Sequence, residues 1–270
     1  NIRSMLDWDF FVIFTYMAMN AVAYLYTVNK LRSGTDVSNR FIVPFIVIST
    51  PFAIGIHTVT AWIFHALTAR PALNTSLLAP RFIATAFASG PALLLLVLYI
   101  LEWSIDWFKV DISVYRKTLN VIVVALATGL FFTLAELHEV FWYTSEPLKR
   151  EQYLATLLGG NSLLTTLMWL WISLGIAATL LGVIPSVRAS KAGIAFISLV
   201  TFVAVFSEKT LATILPGFVV NPLGLSSEYH ITPIEVFVSI GIHATVLILF
   251  AILIRAYVAS LRDREVSHDG

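Results

Sequence analysis

The sequence predicts an all-α integral membrane protein, a polytopic helix bundle with about seven transmembrane helices in one membrane domain over residues 1–270. Hydrophobic residues make up 58% of the chain and charged residues 12%, against about 45–50% and 25% in soluble domains. Seven apolar stretches are long enough to cross about 30 Å of hydrocarbon at about 1.5 Å per residue. None alternates apolar and polar residues as a barrel strand does, so the predicted spans are helices.

Apolar runs place the predicted spans, in chain order, at 8–28, 41–66, 81–103, 118–143, 157–183, 192–215 and 234–257. Each is taken as one helix, because about 20 apolar residues match the thickness of the hydrocarbon core. The sixth is the weakest, since Glu208 and Lys209 interrupt it. We expect its membrane part to stop near Phe206 and to continue as an interfacial helix.

The 17 lysines and arginines are shared unevenly between the two sides that these spans define. Eleven lie on the side of the carboxyl-terminal tail and six on the other, so the positive-inside rule places the tail in the cytoplasm and the protein in the cytoplasmic membrane. An odd number of spans puts Asn1 outside, yet the chain opens almost directly into the first span. We therefore expect residues before Asn1, including further spans, to be missing from this sequence.

The composition excludes several classes of function. Cysteine is absent, so the chain has no thiolate to hold an iron–sulfur cluster and no thiol nucleophile. The six histidines are too scattered for a zinc motif, and a formal net charge of +1 gives no case for nucleic-acid binding. Any redox metal must then be held by histidine or by a partner.

Most ionisable residues inside the spans fall in the outer half of the membrane on this topology. Such groups cost several kcal/mol in a bilayer and mark a site or a proton path by default. His57 is the deepest, because it lies nine residues before Ala66 and so about 13 Å below the end of its helix. Glu136 and Glu139 share a helical face, and one is expected to pair with Arg81 while the other stays titratable. The alternative is that Arg81 snorkels to the interface.

Five stretches match a known family: SMLDWDFFVIFTY (4–16), IHTVTAWIFHALTARPALNTSLLAPRFIATAFASGPALLL (56–95), EVFWY (139–143), EKTLATILPGFVVNPLG (208–224) and YHITPIE (229–235). They resemble the NrfD family of membrane subunits of polysulphide-reductase-type complexes. Within it they resemble the DsrP-like branch, linked to dissimilatory sulfite reductase, and the HmcC-like branch of high-molecular-weight cytochrome complexes. The family's Asp-Leu-Gly-Arg-Pro stretch, expected upstream of the first span, is absent here, which supports the expectation of missing amino-terminal helices.

The resemblance implies a quinone-reactive subunit of a respiratory electron-transfer complex, without heme or iron–sulfur cluster of its own, acting in anaerobic respiration and sulfur metabolism. Menaquinol or another quinone at the outer leaflet would exchange electrons with an extracytoplasmic ferredoxin-like iron–sulfur subunit, with a multiheme cytochrome c and catalytic subunits as further partners. By motif, the quinone and proton site comprises Asp9, His57, Arg81, Glu139 and Glu235. A second set, chosen for depth in the membrane, comprises Glu136, His138, His243 and Glu208. No metal site is expected in this chain.

Two other functions are compatible with the residues. A b-type cytochrome would use two histidines on different helices as axial ligands, and His57 with His138 or His243 is possible on depth. A proton-coupled transporter would use the same buried acids for coupling. A heme absorption band would distinguish the b-type cytochrome from a quinone-binding subunit. Activity as a lone subunit would indicate the transporter.

The segment from Leu215 to Pro233 is apolar but broken by proline and glycine. Irregular backbone cannot lie exposed in lipid, because its polar groups would lack hydrogen-bond partners. We therefore expect a partner subunit to cover this segment on the outer face.

A carboxyl-terminal fusion tests the orientation. Because lysine and arginine are concentrated on the side of the tail, a reporter that is active only in the cytoplasm should be active when fused after Arg255, and a reporter that is active only outside should be silent. Activity of the outside reporter alone would contradict the orientation and the leaflet assigned to every site residue.

Overall fold

A computed structural model describes residues 4–143, 146–159, 162–218 and 232–269, and these residues contain helices and no strand. The helices, in chain order, are α1 (Met5–Arg32), α2 (Asn39–His65), α3 (Leu78–Ser104), α4 (Ile112–His138), a π-helical turn (Glu139–Tyr143), α5 (Pro147–Leu158), α6 (Ser162–Val183), α7 (Pro185–Arg188), α8 (Lys191–Phe218) and α9 (Pro233–Asp269). Within these ranges, seven helices are long and apolar enough to cross a membrane. The predicted fold class, an all-α polytopic membrane protein, is confirmed.

Two predicted starts differ from the structure by five or six residues. The fourth span begins earlier, because Asp111 caps α4 by accepting a hydrogen bond from the Ser113 backbone nitrogen at 2.6 Å. The fifth span begins later, because residue 157 belongs to a separate helix, α5, that ends at Gly159 with a φ of 97°, a conformation that glycine adopts without steric cost. The sixth predicted span is part of one helix, α8, which continues past Phe206 to Phe218, and the end of its membrane part near Phe206 stays a prediction.

The helices form two compact units, Asn1–Ile56 with Tyr229–Gly270, and His57–Glu228. In the first unit α1 packs against α9, and the Tyr24 hydroxyl donates to the Leu253 carbonyl at 2.7 Å. Few side chains of α1 and α9 are buried, as expected for apolar helices that face lipid. Most of the segment expected to contact a partner, residues 219–231, lies outside the described residues.

The second unit packs α3, α4, α6 and α8 around a continuous apolar core. From α4 the core takes Tyr115, Leu119, Ile122 and Leu126, whose spacing of three or four residues defines one helical face. Glycines let the neighbouring helices approach closely, as in many membrane bundles. Gly129 of α4 faces Thr85 of α3 and Trp171 of α6.

A single methyl group tests this packing. A Cβ atom added at Gly129 would lie 2.8 Å from the Thr85 methyl carbon and 3.5 Å from the Trp171 ring, and Thr85 is fully buried with its hydroxyl bonded to the Arg81 carbonyl. We expect Gly129→Ala to lower the free energy of unfolding in detergent by about 1–3 kcal/mol through overpacking.

The matched control for that substitution is Gly241→Ala on α9, where an added Cβ meets no atom within 4 Å outside its own helix backbone and chain neighbours. Its thermal midpoint should stay the same or rise slightly, because alanine favours the helix. Equal midpoints for the two variants would contradict the close approach at Gly129.

Candidate functional site

Four charged side chains meet at one end of the second unit, and we call them the charge cluster: Arg81 of α3, Glu136 of α4, and Glu208 and Lys209 of α8. Arg81 Nη1 pairs with Glu136 Oε2, and Arg81 Nε lies 3.2 Å from Glu208 Oε1. Lys209 Nζ lies 3.3 Å from Glu208 Oε2. The Arg81, Glu136 and Glu208 side chains are only 11%, 1% and 3% exposed. Two cations and two carboxylates thus form a buried group without net charge.

Neighbours on α3 hold the cluster in place. The Lys209 ammonium lies 3.4 Å from the centre of the Phe82 ring and 3.4 Å from the Phe82 carbonyl oxygen, so an aromatic face and a carbonyl share its charge. The Thr85 hydroxyl, one turn after Arg81, lies 3.5 Å from Glu208 Oε2. Residues 81, 82 and 85 therefore present one continuous edge of α3 to the charged residues of α8.

The short helix α5 covers the cluster with a polar face. Its buried residues are Lys149, Gln152, Tyr153 and Thr156. Gln152 Oε1 accepts from the Ala72 backbone nitrogen at 2.9 Å, and the Tyr153 hydroxyl donates to the Ala72 carbonyl at 3.3 Å. Burial, with the nearby Glu136 carboxylate, raises the pKa of Tyr153 well above its usual value. The hydroxyl therefore remains a proton donor at neutral pH.

A cavity of about 30 Å³ lies beside the cluster and has Arg81, Thr133, Tyr153, Trp171 and Glu208 among its lining residues. That volume accommodates about two water molecules but not an aromatic ring. Within the described part of the chain, Arg81 Nε, Glu136 Oε1 and Glu208 Oε1 are buried without a hydrogen bond of good geometry, although Nε and Oε1 are within ion-pair distance. Buried polar atoms are normally hydrogen-bonded, so this site is suited to binding water and moving protons.

Three further candidates lie in the same unit. His57 is half-buried on α2 and within electrostatic reach of the Lys209 ammonium. Glu139, in the π-helical turn, pairs with Lys149 Nζ at 3.2 Å, and its side chain is 47% exposed. His138 is exposed and stacks on the Trp142 ring with 5.2 Å between ring centres.

The remaining candidates, Asp9, Glu235 and His243, belong to the first unit. Asp9 is half-buried near the start of α1. Glu235 Oε2 accepts from the Thr232 backbone nitrogen at 2.7 Å, and the Thr232 hydroxyl accepts from the Glu235 nitrogen at 3.4 Å, the reciprocal capping box of a helix start. His243 Nδ1 lies 2.8 Å from the Ser239 carbonyl oxygen one turn earlier. Local helix bonds thus engage both Glu235 and His243.

The geometry settles two of the alternatives left by the sequence. Pairing of Arg81 with one of the two acids Glu136 and Glu139 is confirmed, and the acid is Glu136. Snorkelling of Arg81 is wrong, since its side chain is buried between two carboxylates. Sequence reasoning missed Lys209 and Tyr153 as members of the site. The signal for Tyr153 was present, because positions 149, 152, 153 and 156 repeat as one helical face.

Loss of Arg81 should destabilise the protein strongly, because two buried carboxylates would lose their compensating charge. We expect Arg81→Met to reduce the free energy of unfolding by about 3–5 kcal/mol. The matched control is Arg150→Met on the exposed side of α5, which should change stability by less than about 0.5 kcal/mol. Thermal and denaturant unfolding in one detergent measures both, and equal losses would contradict the role of Arg81.

Comparison with known proteins identifies the family of this chain. A relative from Halobacterium salinarum, provisionally named as a membrane subunit of dimethyl sulfoxide reductase, is 29% identical over 203 residues, or 66% of this chain and 43% of that protein. The chain therefore spans less than half the length of this relative. The model of the family described as polysulphide reductase, NrfD, matches residues 1–222. Because that match covers most of the 270 residues, this chain belongs to the NrfD family.

Proposed function

We propose that the chain is a quinone-interacting membrane anchor subunit of a respiratory oxidoreductase complex in the cytoplasmic membrane. The charge cluster carries the proposal, because it places two carboxylates and two cations, with little room beyond a few water molecules, inside helices that are long and apolar enough to span a membrane. The family and the name of the Halobacterium relative support a role beside a reductase. Within the family we assign the chain to the DsrP-like and HmcC-like branch, on the five matching stretches of its sequence.

His57 is the residue that we assign to the quinone head group. Oxidation of a quinol releases two electrons and two protons, so its site needs a group that changes charge near neutral pH. The His57 imidazole can accept a proton, and it lies half-buried within electrostatic reach of Lys209. The cavity is too small for the ring, so the head group binds on the His57 side of the cluster and the cavity holds water.

The charge cluster passes protons onward from His57. With both carboxylates ionised the cluster is neutral, and Arg81 and Lys209 stabilise that state in a low dielectric. A proton that enters this neutral group adds a net positive charge in an apolar setting, which favours its onward transfer. Glu139, half-exposed beside Lys149, is the residue through which we propose that the proton leaves.

Electrons leave through a partner in this proposal. The described residues contain no group of three or more histidine, aspartate or glutamate side chains that could hold a metal ion, and cysteine is absent from the sequence. We propose that a ferredoxin-like iron–sulfur subunit docks on the outer face and accepts them, with a cytochrome c or a catalytic subunit beyond it. Asp9 and Glu235, which belong to the first unit, stay proposed site residues on the sequence resemblance alone.

Replacement of His57 tests the proposal in the intact complex. Because its imidazole would take the quinol proton, His57→Ala should reduce quinone-coupled turnover by about 10²-fold or more. Electron exchange between the partner's clusters and an artificial donor should persist. The matched control is His65→Ala at the end of the same helix, for which quinone-coupled turnover should stay near that of the wild type.

Two results would contradict this assignment. Unchanged quinone kinetics in the His57→Ala complex, with normal assembly, would remove His57 from the site. A heme Soret band that belongs to this chain and disappears with His57→Ala would favour the cytochrome alternative.

A further inference from the structure

A concentration of positive charge lies at the end of the second unit opposite to the charge cluster. Arg116 near the start of α4 and Arg188 at the end of α7 line an open groove of about 400 Å³, together with Val183 and Pro185. Twenty residues of α4 separate Arg116 from Glu136, about 30 Å along the helix. The groove is therefore separate from the charge cluster and lies near the other membrane surface.

Backbone and amide oxygens hold both guanidinium groups in place without neutralising them. Arg188 Nη1 donates to the Gly182 carbonyl at 2.8 Å, and Nη2 donates to Asn120 Oδ1. Arg116 Nε donates to the Arg188 carbonyl at 3.1 Å. These bonds fix the two side chains on one face of the groove while leaving their charges in place.

Carboxylates are not paired with these arginines in the described part of the chain, where neither guanidinium has one within 4.0 Å. Asp111 has longer-range electrostatic interactions with Lys191 and Arg116, and the interaction with Lys191 is the stronger of the two. Lys191, at the same end of the unit, does have an acid, since its Nζ lies 2.7 Å from Glu102 Oε2. The groove thus carries excess positive charge, whereas the charge of the neighbouring Lys191 is compensated by Glu102.

Exposed hydrocarbon surface adjoins the arginines. Arg116, Asn120 and Val124 follow one another at four-residue spacing and so lie along one face of α4. Val124, with Leu180 and Val183 of α6, is between 59% and 66% exposed. A polar, cationic groove therefore continues into an apolar surface that faces the membrane interior.

We infer that this groove binds the phosphate group of an anionic membrane phospholipid. Arginine presents a planar fork that suits phosphate oxygens, and basic pockets between transmembrane helices are suited to anionic head groups. The apolar surface of Val124, Leu180 and Val183 packs against the acyl chains. The inference does not depend on the proposed quinone chemistry, since it uses none of the same residues.

Lipid titration of the purified, intact complex tests the site. Native mass spectrometry counts bound phosphatidylglycerol and, in parallel, phosphatidylcholine. The wild type should bind phosphatidylglycerol preferentially, and Arg116→Gln should weaken that binding about fivefold, the contribution expected of one basic residue at an anionic surface. Arg116→Lys should fall between them, because it keeps the charge but loses the fork.

The matched control is Lys117→Gln, an exposed cation adjacent to Arg116 that is not among the groove residues, and its phosphatidylglycerol binding should equal that of the wild type. Equal weakening in Lys117→Gln and Arg116→Gln would reduce the effect to general surface charge and overturn the site. Unchanged binding in Arg116→Gln would overturn it as well.

Two further results distinguish the source of the anion. Inorganic phosphate that displaces the lipid at equal concentration would make the site one for a free anion and overturn the lipid assignment. Absence of any preference for phosphatidylglycerol in the intact complex, with a preference appearing only when a partner subunit is removed, would overturn it too and would show that a protein segment occupies the groove.

Discussion

Electroneutrality of the buried charge cluster is the constraint on which the second unit depends. Glu136 and Glu208 lie on different helices, and Arg81 on a third is the cation that contacts both. An ionised carboxylate without compensation is far too costly in an apolar interior. The position of α3 between α4 and α8 therefore matters electrostatically as well as through packing, and the close approach at Gly129 brings α3 and α4 together.

A buried ion network is a poor choice if stability alone matters, because apolar side chains of similar volume often serve at least as well. The cluster is also incompletely hydrogen-bonded within the described chain, where a purely structural network would satisfy each atom. A polar face of α5 covers it instead of an apolar one. These features fit a site whose charges change during function. They also mean that this end of the unit is less stable than an apolar core of the same volume would make it.

Much of the fold could be predicted from the sequence, and the failures have a common physical cause. Span positions follow from apolar length alone, which is local information. The sixth span looked weakest because hydropathy counts Glu208 and Lys209 as costs, whereas Arg81 and Phe82, 127 residues away in the chain, compensate them. Tyr153 was missed for the same reason, since its burial depends on tertiary contacts of a segment that looked like a polar connection.

For Glu235, in contrast, the local sequence is enough to predict a structural role. The spacing Thr232-Pro-Ile-Glu235 is itself a capping-box pattern, so a local structural role could be inferred from the amino-acid order alone. Depth in the membrane does not separate such a residue from a reactive one, but the partner of each charge does. At the cluster each cation pairs with an acid, whereas among the described residues the hydrogen bonds of Arg116 and Arg188 go to carbonyl and amide oxygens. Internal compensation therefore suits a site that handles protons, and its absence suits a surface that recruits an anion from outside the chain.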